Sequence, residues 1–272
     1  MKQRKGVFRT DLAYEECDEP LNSEEFSYFK EEENGVTMNH VKIHKEHNVL
    51  KRVVGDYYGM EFKDIYNEEV RKQLVISGKK ILSKLLEKIP YEKVLVVGLG
   101  NEDVVADALG SKVCKLVIVS GHTSQSPKVA VIAPKVKAQT GMDTVEYIQS
   151  VTGMFHPDVV IVIDALLTAS IARLNRVIQM TNTGIQPGSG ISKRTNSLDK
   201  QTLQVDVIAI GISTVIDIES LVGNYVDIDE DIQKRIEQEC NVMVTLKEMD
   251  FELLYLANIL ADIINETLFK KA

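Results

Sequence analysis

The chain has 272 residues, 44% of them hydrophobic and 26% charged, with a formal net charge of −8. That length and apolar content suffice for one large core without disulfide staples, and the acidic balance excludes the nucleic-acid backbone as a main ligand, because such binding rests on clustered Lys and Arg. No apolar run approaches the roughly 20 residues that span a bilayer, and no apolar stretch follows the basic start MKQRK, so neither a membrane span nor secretion is expected.

Residues 1–11 carry four basic residues against one acid, whereas 15–33 are crowded with Asp and Glu, a switch of the kind that marks a boundary. Residues 36–58 alternate loosely and predict one or two strands; that pattern scatters His40, His44 and His47 over the surface rather than gathering them as ligands. Apolar positions at helical spacing predict an amphipathic helix over 67–89, stopped by Pro90. The continuous apolar run KVLVVG at 93–98 has the character of a parallel strand buried on both faces, and similar runs recur at 115–119, 129–132, 158–163 and 206–210. Helices are expected between them at 143–155 and 165–174, and the chain closes with a strand at 242–245 and a helix over 246–269. There Thr245 and Glu248 have the spacing of a capping box. Strands alternating with helices imply an α/β fold with a mostly parallel central sheet covered on both faces. Cys17, Cys114 and Cys240 lie far apart without CxxC spacing, which indicates neither a disulfide framework nor a zinc site and fits a reducing cytoplasm.

In open α/β sheets ligands bind beyond the carboxyl ends of the strands. After the first buried run comes GLGNEDVVADALG (98–110), whose glycines permit close backbone approach and can set Asp107 over the sheet edge. A dinucleotide fingerprint would need a third glycine where Asp103 stands, so no nucleotide cofactor is expected. After the fourth run Asp164 follows five β-branched residues, a costly place for a carboxylate unless it is paired; a helix N-cap and a catalytic acid fit equally well. The third place is the loop TNTGIQPGSGI (181–191), whose composition suits a binding loop or a surface turn. Ser189 within it is the best nucleophile available, but no Ser occupies a G-x-S-x-G elbow and His122 and His156 sit in polar connections.

These segments together resemble the germination protease family of spore-forming bacteria. The likeness rests on RTDLA (9–13), LVVGLGN (95–101) with DALG (107–110), IDAL (163–166), Arg173, Asn175, IQ (178–179), TGI (183–185), PGSG (187–190), VIAIG (207–211) and NVMVT (241–245), in that order over nearly the whole chain. The resemblance implies a three-layer phosphorylase/hydrolase-like sandwich, one protease domain over 12–272 in which 36–65 can be read as a small β lobe, and Asp107 and Asp164 as the catalytic pair. It also implies a zymogen that cuts its own Asp11–Leu12 bond and so sheds residues 1–11 as a propeptide. Small acid-soluble spore proteins would be the substrate, a homotetramer the assembly and the spore or forespore cytoplasm the location, with no cofactor, metal, membrane or direct nucleic-acid partner. Gly100, Asn101, Thr183, Gly184, Pro187, Gly188, Ser189 and Gly190 would contact substrate. Two departures stand out, Ala106 and Ser111 where the family has Pro. Two other readings compete: a metal-binding hydrolase akin to hydrogenase maturation proteases, from the Gly-Asn-x5-Asp-x2-Gly stretch, and an inactive relative that binds spore proteins without cutting them.

Overall fold

The computed structural model describes residues 9–17, 20–120, 127–186, 197–226, 228, 230–239 and 242–269. In chain order the elements are β1 (Leu21–Asn22), β2 (Phe26–Glu33), β3 (Val36–Ile43), β4 (Gly55–Phe62), α1 (Glu68–Leu86), β5 (Lys93–Gly98), α2 (Leu109–Cys114), β6 (Lys128–Ile132), α3 (Lys137–Thr140) and α4 (Thr144–Phe155). There follow β7 (Val159–Leu167), β8 (Val177–Thr181), α5 (Lys200–Leu203), β9 (Asp206–Asp217), α6 (Ile218–Gly223), α7 (Glu230–Glu239), β10 (Met243–Val244) and α8 (Met249–Leu268).

The described strands form one sheet in the order β1-β2-β3-β4-β8-β9-β7-β5-β6, with β10 on the far part of β9. The expected α/β class is present, and β6, β5, β7 and β9 make its parallel half. The other half is antiparallel: β8 pairs with β9 and β4, and the β2-β3-β4 meander extends the same sheet. The strands of residues 36–65, β3 and β4, thus pair into the central sheet.

Alternate residues of the buried strands feed different cores, as the period of two requires. Val94, Val96, Ile161, Ile163, Ile208 and Ile210 face α1, α2 and α8. Leu95, Val97, Val160 and Val162 face Val145 and Ile148 of α4. Helix propensity and caps agree with packing here: Asn67 accepts the N–H groups of Glu69 and Val70 at the start of α1, and Asp143 those of Val145 and Glu146 at the start of α4.

Four sequence expectations are corrected. Residues 115–119 are not a strand; α2 ends at Cys114, and the Leu116 and Val117 N–H groups turn back to Val113 O at 2.9 and 3.0 Å. The run is apolar because Val117 packs into the main core, while Ile118 N donates to Asn265 Oδ1 of α8 at 2.8 Å. The helix over 165–174 is absent as well, because β7 continues along β9 to Leu167 and only a 3₁₀ turn forms at Ile171–Arg173. Nor is the capping box made: Thr245 Oγ1 donates to Thr214 O at 2.8 Å, and α8 starts without a side-chain cap. His40, expected at the surface, is half-buried, stacked on Tyr58 at 4.1 Å and bonded to Asp56 Oδ1 at 2.8 Å.

Candidate active site

Strand β5 ends at the buried Gly98, and its successor Leu99, also buried, donates to Ile163 O of β7 at 2.8 Å, which draws the next loop toward β7. Gly100 then takes φ +100°, a conformation only glycine adopts without strain. A Cβ there would stand 2.0 Å from Asp107 O and 2.8 Å from Asp107 Oδ1. The tight turn sets Asn101 N against Asp107 Oδ2 at 2.8 Å. Burial raises the Asp107 carboxyl above the usual carboxylate range, and the Asn101 N–H only partly offsets it.

Asp164 lies inside β7, opposite Gly211 of β9, and is 8% exposed. Since no helix begins there, the N-cap reading falls away; the carboxylate accepts only the adjoining Ala165 N–H, at 2.9 Å, among described residues. Its pKa stands well above the usual carboxylate range. Burial is the main cause, the Asp107 charge adds to it, the Ala165 N–H opposes it, and the Asp11 charge raises it again. Two carboxyls in this relation cannot both ionise cheaply, which favours a proton shared by the pair over two free carboxylates.

Strand register extends the site sideways. Asp164 pairs with Gly211, Gly211 with Gln179 of β8, and Gln179 with Gly59 of β4, so these positions share one face of the sheet. Across this row lies the N-terminal segment. Asp11 N donates to Leu167 O at 2.9 Å, and Asp11 Oδ2 accepts from Leu167 N at 2.8 Å. The Asp11 carbonyl accepts from Gln179 Nε2 and Ala13 N donates to Gln179 Oε1, both at 2.9 Å. Leu12 N donates to Thr10 Oγ1 at 3.0 Å. Leu12 is fully buried with Phe26, Tyr28, Ile43, Leu50 and Leu166. Tyr14 then lies over Gly59, where a Cβ would stand 2.8 Å from its ring. Its hydroxyl donates to Glu61 Oε2 at 3.0 Å. Glu15 completes the anchor, accepting from Thr168 Oγ1 at 2.6 Å and Ala169 N at 2.9 Å, with Arg173 at 3.3 Å.

A cavity of about 230 Å³ opens beside Asp11, lined by Lys51, Arg52, Tyr57, Thr181, Thr183 and Gly184 together with Gln179 and Gly211. Neither Asp107 nor Asp164 lines it. The structure therefore brings Asp107, Gly100 and Asn101, from the turn after β5, together with Asp164 inside β7, seats Asp11 and Leu12 beside them, and puts Thr183 and Gly184 on the adjoining cavity. Pro187, Gly188, Ser189 and Gly190 lie outside the described residues, as does His122. Among the described residues no group of three or more His, Cys, Asp or Glu side chains could hold a metal ion, and no helix is long and apolar enough to cross a membrane. Sequence inspection missed the role of Gln179 as partner to Asp11. Its only signal is the cross-strand register, which requires the antiparallel pairing of β8.

Comparison with known proteins gives a consistent answer. A family profile described as germination protease matches residues 9–240. The germination protease of Clostridium tetani is 35% identical over 266 residues, covering 89% of this chain and 81% of the relative. That of Caldanaerobacter subterraneus subsp. tengcongensis is 35% identical over 226 residues, 77% of this chain and 69% of the relative. That of Bacillus cereus strain ATCC 10987 is 36% identical over 241 residues, 80% and 66% respectively. Among solved structures, the [NiFe] hydrogenase maturation protease HycI of Thermococcus kodakarensis aligns over 68% of this chain and 98% of its own at 15% identity and a TM-score of 0.41.

Proposed function

The chain belongs to the germination protease family, and on that premise we propose that it is an endopeptidase made as a self-processing zymogen, with Asp107 and Asp164 as its catalytic acids. The observation that carries this reading is the convergence of the two raised carboxyls with the Asp11 segment, whose own charge acts on Asp164. Asp164, the more deeply buried, holds the shared proton; Asp107, half-buried and stabilised by the Asn101 N–H, is the base. Asp107 takes a proton from water as the water oxygen bonds to the carbonyl carbon of Asp11. Asp164 gives its proton to the departing Leu12 nitrogen, and proton exchange then resets the pair.

The same site would accept an acidic residue followed by a large apolar one. Leu167 N binds the Asp11 carboxylate, the pocket around Leu12 is apolar, and Lys51 and Arg52 line the adjoining cavity. Small acid-soluble spore proteins, taken from the family, are the proposed substrate. The spore or forespore cytoplasm is the proposed location, and a homotetramer the proposed assembly.

The test is incubation of the purified chain with a small acid-soluble spore protein, with fragments mapped by mass and the new N-terminus of the chain sequenced. Substrate fragments and an N-terminus at Leu12 are expected. Asp107→Asn and Asp164→Asn should abolish both cleavages while circular dichroism stays unchanged; activity in either folded variant refutes the mechanism. Binding without fragments would favour the inactive relative.

A further inference from the structure

Gln179 is only 6% exposed, in a position where an unpaired polar group is costly. The hydrogen bonds of its side-chain amide among the described residues go to the backbone of one segment, the Asp11 carbonyl and the Ala13 N–H. These partners fix which end of the amide is nitrogen, since a carbonyl can only accept and an N–H can only donate. They lie on either side of Leu12, and the carbonyl that Gln179 holds belongs to the Asp11–Leu12 peptide and is the one that its hydrolysis would attack. The Leu12 N–H is held separately by Thr10 Oγ1.

Register supplies the spacing. Gln179 and Asp164 lie in the same cross-strand row, two strands apart, with Gly211 between them. Adjacent strands are about 4.8 Å apart, so the two side chains rise roughly 10 Å from one another across a position without a side chain. A peptide laid over Gly211 would have its carbonyl on Gln179 and its other side toward the aspartates.

We propose that Gln179 is a catalytic residue whose amide N–H binds the scissile carbonyl oxygen and stabilises the charge that develops there, while its amide oxygen registers the substrate through the N–H two residues downstream. The inference rests on the protease reading above and deepens it. When water adds to the carbonyl carbon, the C=O electron pair moves onto the oxygen that faces Gln179 Nε2, and the water proton passes to the ionised aspartate. Because the Gln179 side-chain amide hydrogen-bonds main-chain groups alone among the described residues, it serves any sequence the neighbouring pockets admit, the self-processing segment and separate substrates alike.

The experiment compares the full-length chain with Gln179→Leu and Gln179→Glu, measuring self-processing rate and kcat and KM on a small acid-soluble spore protein across pH. Loss of one such donor lowers kcat on the order of 10²–10³-fold. Gln179→Leu should show that loss with KM changed less. Gln179→Glu should be equally impaired at neutral pH and regain activity relative to Gln179→Leu as acid protonates the new carboxyl and restores a donor, which a purely structural role would not produce. Wild-type kcat in folded Gln179→Leu, or no acid recovery of folded Gln179→Glu relative to it, overturns the inference alone. A wild-type chain that cleaves nothing overturns the protease reading and this inference with it.

Discussion

Replacing Leu12 by Ala tests whether the N-terminal segment is held by burial of its own side chains. Leu12 is fully buried in a cluster with Phe26, Tyr28, Ile43, Leu50, Tyr57 and Leu166. Truncating such a leucine costs about 2–5 kcal/mol, the spread reflecting how far the cavity collapses. The segment lies across the sheet instead of within it, so the cost falls on its docking and not on global unfolding. At a factor of ten per 1.4 kcal/mol, docking should weaken roughly 30-fold to several-thousand-fold. Amide hydrogen exchange reads this directly at Ala13, whose N–H is bonded to Gln179 Oε1 at 2.9 Å. The measurement belongs in an Asp164→Asn background, so that the proposed self-cleavage would not intervene. Leu12→Met, which conserves volume, should cost less than about 1.5 kcal/mol. Unchanged Ala13 protection in Leu12→Ala would refute the reasoning, and so would an equal fall in protection along β5, which would mean that the segment leaves only when the whole protein unfolds.

Asp164→Asn should also change how stability depends on pH. A carboxyl whose pKa is raised on folding binds its proton more tightly in the native state, so its unfavourable contribution is absent below about pH 4 and grows as pH rises toward the raised value. The variant should therefore gain stability over wild type as pH rises, and a constant difference in denaturation midpoint would contradict the assignment. Glu252 of α8, 4% exposed, receives Arg176 through bonds of 2.7 and 2.9 Å and Asn175 Nδ2 at 2.8 Å. Glu252→Ala leaves the Arg176 charge without its partner and should cost about 3–5 kcal/mol in urea denaturation; a loss below about 1 kcal/mol, the range of exposed pairs, would show the pair to be solvated.

The parallel half of the sheet was legible because strands buried on both faces must be continuously apolar, as KVLVVG at β5 and VVIVI in β7 are. The antiparallel half was legible only in part: the alternation over 36–58 gives strands, present as β3 and β4, but not β2 or the pairing of the half. In β2 the run FSYFKEEE buries only its first residues, so its acidic end hides a strand made by its neighbours. At 165–174 the local preference of Ala and Leu for helix yields to nonlocal pairing with β9 and with Asp11, a choice no short window contains. The aspartates could be found because strand ends are visible in sequence. Gln179 could not, since its meaning comes from two cross-strand steps and a segment more than 160 residues earlier.

The anchoring of Tyr14 and Glu15 would govern the fate of the two pieces left by the proposed cut after Asp11. Severing the bond after Asp11 would free the upstream piece, whereas Leu12 and its neighbours would stay tied to β4, β7 and the turn beyond β7, as a product that cannot diffuse away. A short tether of this kind holds its end at an effective concentration in the millimolar range. Each incoming chain would have to compete with that resident end for half of the groove. Turnover would then begin with a lag, and scarce substrate would be spared while abundant substrate displaced the arm.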